Sequence, residues 1–308
     1  MGTISRIITS FTNGTFLRKL FKHSVSSRHL FYLKDDGIRR EQQNLIVYRW
    51  LKKHYGYVLD KEIPEREREH SDKIWTCWFQ GMENAPLLCQ IGSSRFQQVF
   101  GKDNVMIMTA ENIGDYLELP EYILEKWKKG IISNTHFSDI IRYCLLYEYG
   151  GTWIDSTILI LDDDLPDYFH DSRLFLFADY ISGTVPNIQS SYISAYSHSR
   201  LIGYVRELIF EYWKNENYTL DYNMYHMFFQ MAEEKCPEEW KEVYQYPNHA
   251  THILRKDLFD PFDQKRYDQI RKMCPVQKLS HKKHPTDDVS GTFYDVLIEH
   301  GREFFKMK

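Results

Sequence analysis

The sequence predicts an α/β protein, because short apolar runs of strand length alternate with longer segments of helical period. Lys73–Gly81 and Asn104–Thr109 are typical of buried strands, and Leu87–Phe100 between them has the spacing of a helix. This order of strand, helix and strand predicts parallel pairing through right-handed crossovers. At 308 residues the chain can bury a large core, so we expect one main domain with helical additions.

The N-terminal part predicts helices that stand apart from the main domain, and we place the boundary between an extension, 1–70, and a domain, 71–308. Residues 16–22 carry an apolar stripe between basic residues. Such a helix lies in a membrane interface or packs on the domain with its basic side in water. A second helix is expected over about 40–54, with Ile46, Trp50 and Leu51 on one side.

Further strands and helices follow the same logic of period and turn signals. The predicted segments are a helix at 121–129, strands at Leu174–Ala178 and 188–195, and helices at Ser199–Lys214 and Asp221–Met231. The last helix would bring Asp221, Tyr222 and His226 together near one end, and we assign acceptor binding to these three residues.

The stretch Ser138–Thr157 is the expected centre of the molecule: S-D-I-I-R-Y-C-L-L-Y-E-Y-G-G-T-W-I-D-S-T. Its first half has a helical period, for which Ser138 is the expected N-cap. The Gly150-Gly151 pair ends the helix, since glycine adopts the left-handed conformation without a Cβ clash. A short apolar strand follows and ends at Asp155.

This unit brings acids and a cation towards one place. Asp139 and Arg142 are three residues apart and share a side of the helix. Asp155 follows a buried strand, and open α/β sheets gather ligands where their strands end. Taken singly, each residue also fits a structural role, Asp139 as a first-turn partner of Arg142 and Asp155 as the end of a strand.

This stretch resembles the core signature of the capsular polysaccharide synthesis glycosyltransferases: S-D-x-x-R, then an aromatic-rich helix, then Y-G-G-x-W-I-D-x-T. It is also similar to the wider DXD-sugar group that includes the glucosylating clostridial toxins. The resemblance implies a GT-A fold that binds a nucleotide-sugar with Mn²⁺ or Mg²⁺. It implies that Asp139 holds sugar or ribose hydroxyls, that Arg142 holds the donor sugar and its phosphate side, and that Asp155 is the first acid of the DXD motif. Thr157 stands where the second acid is usual, and a threonine is a poorer ligand for a hard cation than a carboxylate.

The resemblance implies further donor contacts on both sides of the central stretch. Trp78 matches the tryptophan that stacks on the uracil, Gly81 belongs to the loop beneath the base, and Gly151 is assigned to the donor site. Near the C-terminus, Lys278 and Lys282 would neutralise the diphosphate, and His281 would join Asp155 and Thr157 at the metal. A basic surface loop is the alternative for this C-terminal segment.

Charge and cysteine content narrow the class of partner. The net charge is −4, but residues 1–40 carry +6 and the remainder −10. The acidic charge of the remainder argues against a nucleic-acid substrate, and the basic charge of residues 1–40 favours attraction to an anionic membrane surface. The five cysteines are widely spaced, as is typical of reduced thiols, and the sequence shows neither a membrane span nor a signal peptide. We therefore expect a cytoplasmic protein. The basic N-terminal helices could bring it into peripheral contact with the inner face of the membrane.

The resemblance therefore implies transfer of a hexose from a UDP-sugar to a hydroxyl of a capsular or other surface polysaccharide precursor. The acceptor would be a glycan or lipid-linked oligosaccharide, and the reaction would depend on a metal and retain anomeric configuration. Two alternatives stay open: a non-catalytic nucleotide-sugar-binding member of an assembly complex, which Thr157 favours, and a transferase that modifies protein.

Overall fold

The computed structural model describes residues 36–178, 185, 188–281 and 288–307. Its strands form a six-stranded sheet and a separate two-stranded sheet. The strands are β1 (Ile74–Cys77), β2 (Val105–Met108), β3 (Gly151–Ile154), β4 (Ile158–Ile160), β5 (Leu174–Ala178), β6 (Ile188–Ala195), β7 (Tyr244–Pro247) and β8 (Val276–Lys278).

Helices connect and cover the strands, and several agree with the sequence prediction to within two residues at each end. The α-helices of the described part are α1 (Asp36–Tyr55), α2 (Leu87–Phe100), α3 (Glu121–Lys128), α4 (Asn134–Tyr149), α5 (Arg200–Asn215), α6 (Met224–Lys235), α7 (Pro237–Lys241), α8 (Ile253–Asp257), α9 (Gln264–Met273) and α10 (Gly301–Phe304).

The large sheet has the strand order β2-β1-β3-β6-β5-β7. β1 is parallel to β2 and β3, and β7 is parallel to β5, whereas β6 runs antiparallel to both of its neighbours. The predicted α/β class is confirmed, with a mostly parallel central sheet and flanking helices. The parallel pairing predicted for the first two strands is likewise confirmed.

Side chains that alternate along each strand bury against different helices, because successive residues of a strand point to opposite faces. Trp75 and Trp153 enter the core cluster that contains α1, α4, α5 and α6. Their neighbours Ile74 and Ile154 enter a second cluster with Phe96 of α2. Both faces of the sheet are therefore covered.

Helix α4 begins five residues before the point expected from the sequence. Ser133 is the N-cap, and its hydroxyl accepts a hydrogen bond from the backbone N–H of His136. Ser138 is not the cap; its hydroxyl donates to the Thr135 carbonyl at 2.7 Å. The extra turn is stabilised by burial of Phe137, whose ring stacks on Trp127 with centroids 4.0 Å apart. Asp139 consequently lies in the second turn of the helix.

Two other helix predictions need correction. The helix expected from Asp221 begins at Met224, so Asp221 and Tyr222 lie in the loop before it. In α1 the most deeply buried side chain is Leu51, and Val47 and Tyr48 are buried beside it. Trp50 packs against the same cluster as expected, whereas Ile46 is only half-buried.

Helix α1 joins the same core cluster as the helices on its side of the sheet. The predicted boundary at residue 70 stays a prediction, and the basic segment 16–22 lies outside the described residues. Among the helices that are described, none combines the length and apolar character needed to span a bilayer.

The two-stranded sheet joins distant parts of the chain. β4 pairs antiparallel with β8, which places Lys278 opposite Ile158. The backbone N–H of Leu279 donates to the Thr157 carbonyl at 2.9 Å and extends the ladder by one more bond. Gly92 of α2 lies against this sheet so closely that a Cβ there would sit 2.5 Å from the Ile158 carbonyl oxygen. A long-range strand pair therefore fixes where Lys278 enters the site.

Candidate active site

Asp155 follows the last residue of β3, at the edge of the sheet where β1 also ends. β1 and β3 are parallel, so their carboxyl ends face the same side. The backbone N–H of Asp155 donates to the Ser191 carbonyl of β6 at 2.8 Å. This backbone bond fixes the position of Asp155, and its side chain stays 24% exposed.

The Asp155 carboxylate accepts hydrogen bonds from three side chains. Its Oδ1 accepts from Arg142 Nη2 at 2.7 Å and from the Trp153 indole N–H at 2.8 Å. Its Oδ2 accepts from Lys278 Nζ at 2.6 Å. The same ammonium donates to Thr157 Oγ1 at 2.7 Å. Both carboxylate oxygens are thus engaged by fixed cations, one from α4 and one from β8.

Arg142 links Asp155 to the rest of the site. Its Nη1 donates to Asp139 Oδ1 and to Ser190 Oγ, each at 2.6 Å. Its guanidinium lies 5.0 Å from the centroid of the Trp153 ring, within the range of a cation–π contact. Only 3% of the arginine side chain is exposed. A planar guanidinium that makes three directed hydrogen bonds has little freedom to move.

The two carboxylates of the network have opposite pKa shifts. Burial raises the pKa of Asp139 to about 6, because the attraction of Arg142 only partly offsets the loss of water and Asp155 adds repulsion. Burial acts on Asp155 as well, but the charges of Lys278 and Arg142 outweigh it and lower its pKa to about 2. Asp155 is therefore the permanently ionised group, and Asp139 is the carboxylate that titrates near neutral pH.

Two histidines border the network as neutral rings. Burial lowers the pKa of both His136 and His226 to about 4. His226 Nε2 lies 3.1 Å from Ser190 Oγ. Because Arg142 can only donate, the serine oxygen accepts from the guanidinium and its own O–H is available to the neutral ring nitrogen. His136 Nδ1 lies 3.8 Å from Asp139 Oδ2.

The residues predicted to hold the base lie on the loop after β1. The Trp78 ring is half-buried and meets His281 edge to face, with centroids 5.8 Å apart. The N–H of Gly81 donates to the Trp78 carbonyl at 3.0 Å. Gly81 has φ of 84°, a conformation that favours glycine. The loop thus turns back beside the indole, at the strand end adjacent to Asp155.

Tyr222 extends the site towards solvent. Its side chain is 66% exposed, and its ring lies 5.9 Å from that of His136 in a T-shaped contact. An exposed aromatic ring beside the carboxylates is a suitable surface for a sugar ring. Asp221 precedes Tyr222 in the same loop.

Two predicted donor residues are not brought to this cluster. Gly151 begins β3, four residues and roughly 13 Å of strand from Asp155. It has a packing role instead, since its φ is 92° and a Cβ would sit 2.3 Å from the Lys73 carbonyl oxygen. Lys282 lies outside the described residues, so its predicted contact with the diphosphate stays a prediction.

The predicted metal ligands do not fit a divalent cation in this arrangement. Lys278 Nζ already contacts Asp155 Oδ2 and Thr157 Oγ1, the two oxygens that would have to bind the ion. The third predicted ligand, His281, packs against the Trp78 ring. Within the described part of the chain, no group of three or more His, Cys, Asp or Glu side chains is arranged to hold a metal.

Sequence reasoning missed Ser190 and Trp153 as parts of the site. Ser190 lies on β6, the antiparallel neighbour of β3, and only the fold brings it to Arg142. Trp153 precedes Asp155 by two residues, so both point to the same face of the strand. That spacing was the available signal for the tryptophan, whereas nothing local marked the serine.

Comparison with known proteins decides the family. The chain matches the family described as "Capsular polysaccharide synthesis protein" over residues 28–297. The protein belongs to this family. The match includes the central helix and strand, the loop of Trp78 and strand β8, so the whole network just described lies within the capsular polysaccharide synthesis region.

Two further similarities are more limited. A curated relative from Arabidopsis thaliana, "Uncharacterized protein At4g19900", is 31% identical over an alignment of 72 residues, and the match covers 21% of this chain. The match spans 11% of that relative's own length. A solved structure titled "PaToxG Glycosyltransferase" aligns with a TM-score of 0.39 and 14% identity, over 66% of this chain and 81% of that one.

Proposed function

We propose that this member of the capsular polysaccharide synthesis family is a glycosyltransferase that moves a hexose from a UDP-sugar to a hydroxyl of a polysaccharide precursor. Family membership supports a role in polysaccharide synthesis. The residues at the carboxyl ends of β1 and β3 support the transfer chemistry. The observation that carries the proposal is the pair of cations, Arg142 and Lys278, held on one carboxylate, Asp155, at that edge.

Transfer from a nucleotide-sugar is limited by the leaving group. As the glycosidic bond breaks, negative charge grows on the diphosphate, and positive charge that is already in place lowers the barrier. Asp155 accepts a hydrogen bond from each cation and so fixes the position of both. Lys278 is 19% exposed and Asp155 24% exposed, so a diphosphate can reach this part of the network.

The donor sugar is assigned to Asp139 and Arg142. A carboxylate beside a fixed guanidinium can accept hydrogen bonds from sugar hydroxyls and so hold one face of the ring towards the acceptor. The indole of Trp78, at the neighbouring strand end, offers an apolar face for the uracil. Different side chains near these two strand ends would thus bind the base, the diphosphate and the sugar of the donor.

The acceptor is assigned to the side of the site that carries Asp221, Tyr222 and His226. Tyr222 is exposed there, and a glycan or lipid-linked oligosaccharide could stack on its ring. We propose retention of configuration, on the strength of the resemblance alone. A divalent metal could take part at Asp155 and Thr157 only after displacing the ammonium of Lys278.

We also propose a cytoplasmic location, with peripheral contact at the membrane through the basic segment 16–22. The cysteines support the cytoplasmic location, since all five are free thiols and buried. Nucleic acid is not a proposed partner, because the chain beyond residue 40 carries a net charge of −10.

A donor screen tests the function. Purified protein is incubated with UDP- and GDP-sugars, and release of the nucleoside diphosphate is measured with and without oligosaccharide acceptors. We expect one UDP-hexose to be consumed, and consumed faster with a glycan acceptor. Binding of UDP without turnover of any donor would favour the non-catalytic alternative. Transfer to a protein acceptor alone would favour the protein-modifying alternative.

A further inference from the structure

The Lys278 ammonium lies between two oxygens that the resemblance assigns to a metal ion. It contacts Asp155 Oδ2 at 2.6 Å and Thr157 Oγ1 at 2.7 Å. These are the first and third positions of the D-S-T sequence, at which a DXD motif would carry its two acids. A single positive charge therefore occupies the place between the motif's oxygen ligands.

This position is set by the backbone as well as by the side chain. Lys278 is the last residue of β8 and pairs with Ile158, the first residue of β4. The following residue, Leu279, donates its backbone N–H to the Thr157 carbonyl at 2.9 Å. Ladder bonds thus hold the lysine next to the chain segment that carries Thr157. Because the backbone of Lys278 is fixed, its ammonium is held close to Asp155 Oδ2 and Thr157 Oγ1.

The charges of the site are already balanced. Two carboxylates, Asp139 and Asp155, face two cations, Arg142 and Lys278. A divalent ion would add two positive charges and would need oxygen ligands that are now hydrogen-bonded to these cations. Replacement of Thr157 by an acid would have supplied a further negative charge; threonine supplies none, and its hydroxyl suits an ammonium donor. The threonine and the lysine are therefore complementary partners.

We propose that Lys278 takes the role of the metal, so that this protein binds the diphosphate of its donor without a divalent cation at Asp155 and Thr157. Asp155 and Thr157 account for two of the three donors of the ammonium, and the third contacts a diphosphate oxygen. In the transfer step the acceptor hydroxyl oxygen forms a bond to the anomeric carbon and its proton passes to the departing diphosphate oxygen. The bond from that carbon to the diphosphate breaks with its electron pair, and Lys278 and Arg142 stabilise the charge that develops on the diphosphate. This inference rests on the proposed function, because it concerns the same donor.

Direct measurement of metal binding tests the proposal separately from catalysis. Binding of Mn²⁺ to the full chain is followed by electron paramagnetic resonance, with and without UDP. UDP affinity is followed by calorimetry in Mn²⁺ and in EDTA. We expect no stoichiometric Mn²⁺ site in the wild type and the same UDP affinity in both buffers. Lys278→Met should weaken UDP binding about 10-fold or more through the loss of a charge-assisted contact.

Matched variants make the test specific. Lys129→Met removes an exposed ammonium that pairs with Glu125 at 2.7 Å, and it should leave UDP affinity unchanged. Thr157→Val keeps the shape of the side chain and removes the hydroxyl, and we expect it to weaken UDP binding without any effect of Mn²⁺. Circular dichroism checks that each variant is folded.

The outcomes separate the two proposals. A stoichiometric Mn²⁺ site in the wild type that Asp155→Asn or Thr157→Val abolishes would overturn the inference, as would UDP binding that needs Mn²⁺; the proposed function would then stand. Failure of the wild type to bind any nucleoside diphosphate in either buffer would overturn the proposed function and this inference with it. Equal UDP binding in Mn²⁺ and EDTA, lost in Lys278→Met, supports both.

Discussion

The guanidinium of Arg142 donates from Nη2 to Oδ1 of Asp155 at 2.7 Å, and this bond ties helix α4 to the end of strand β3. The two residues come from one continuous segment of sequence, yet they meet only because the Gly150-Gly151 turn reverses the chain between them. Gly150 has φ of 64° and Gly151 has φ of 92°, values that suit glycine. The turn therefore determines the geometry of the site as much as the charged side chains do.

Replacement of Asp155 tests this centre directly. Asp155→Ala leaves Arg142 and Lys278 without their shared partner, so both cations lose their orientation. We expect transfer from the UDP-sugar to fall about 1,000-fold or more, as when a preorganised electrostatic group is removed. The measurement is kcat/KM for donor consumption, with thermal unfolding as a check on folding. Asp164→Asn alters an exposed acid nearby and should keep wild-type kinetics; wild-type kcat/KM in Asp155→Ala would contradict the site assignment.

Arg142→Lys distinguishes shape from charge. A lysine keeps the positive charge but has one nitrogen where the guanidinium uses two to reach Asp139, Ser190 and Asp155. We expect kcat/KM to fall about 100-fold, with part of the loss in KM for the donor. The exposed Arg271→Lys serves as the matched control. Full activity in Arg142→Lys would show that only charge is needed.

The pH dependence of transfer should report on Asp139. Burial raises its pKa to about 6, so the carboxylate that accepts sugar hydroxyls is lost as pH falls through this value. Asp155, with a pKa lowered to about 2 by Lys278 and Arg142 against the effect of burial, stays ionised over the same range. We therefore expect kcat/KM to decline below about pH 6 in the wild type.

Two variants assign this pH effect. Asp139→Asn should be slow at every pH and should lack the inflection near pH 6, because it has no carboxyl group to titrate. His136→Gln should keep the inflection, since burial lowers the pKa of His136 to about 4 and the ring is already neutral above that pH. Loss of the inflection in the histidine variant alone would assign it to His136.

Tyr222 is expected to act on the acceptor and not on the donor. Its exposed ring lies beside His136, at the edge of the carboxylate pair. Tyr222→Ala should raise KM for the acceptor about 10-fold, in line with the loss of one stacking contact, and leave donor hydrolysis without acceptor unchanged. Tyr222→Phe retains the ring and is the control. An equal loss of donor hydrolysis in Tyr222→Ala would place this residue in the donor site.

Gly92 tests the packing that supports β4. A Cβ there would sit 2.5 Å from the Ile158 carbonyl oxygen, so Gly92→Ala must push β4 away from α2. We expect the free energy of unfolding to fall by about 1–3 kcal/mol, the usual cost of overpacking. Urea denaturation measures it. Gly114→Ala, where no atom lies within 4 Å of the added Cβ, is the control and should unfold close to the wild type.

Local sequence pattern predicted most of the fold and the part of the site that is local in sequence. The helix Leu87–Phe100 and the strand Leu174–Ala178 agree with the structure at both ends, because apolar period and flanking turns define them. The convergence of Asp139, Arg142 and Asp155 follows from spacing within one segment. The start of α4 was predicted five residues late, because a tertiary contact, the stacking of Phe137 on Trp127, stabilises an additional turn.

The contacts that sequence alone could not predict span long stretches of chain. Lys278 and Asp155 are 123 residues apart, and Ser190 and Arg142 are 48 apart. No spacing rule connects such pairs, which depend on the order of strands in both sheets. The sequence therefore predicted a metal at Asp155 and Thr157 but not the ammonium of Lys278 that contacts both residues. In the sequence, Lys278 is recognisable only as part of a basic C-terminal segment.

Because β8 delivers Lys278 by pairing with β4, the centre cannot be assembled during synthesis until residue 278 has left the ribosome. A nascent chain that ends before residue 276 would already contain the central helix, its glycine turn and Asp155, yet it would lack the cation that we expect to meet the leaving diphosphate. We therefore expect translation products that end there to be inert towards the proposed donor.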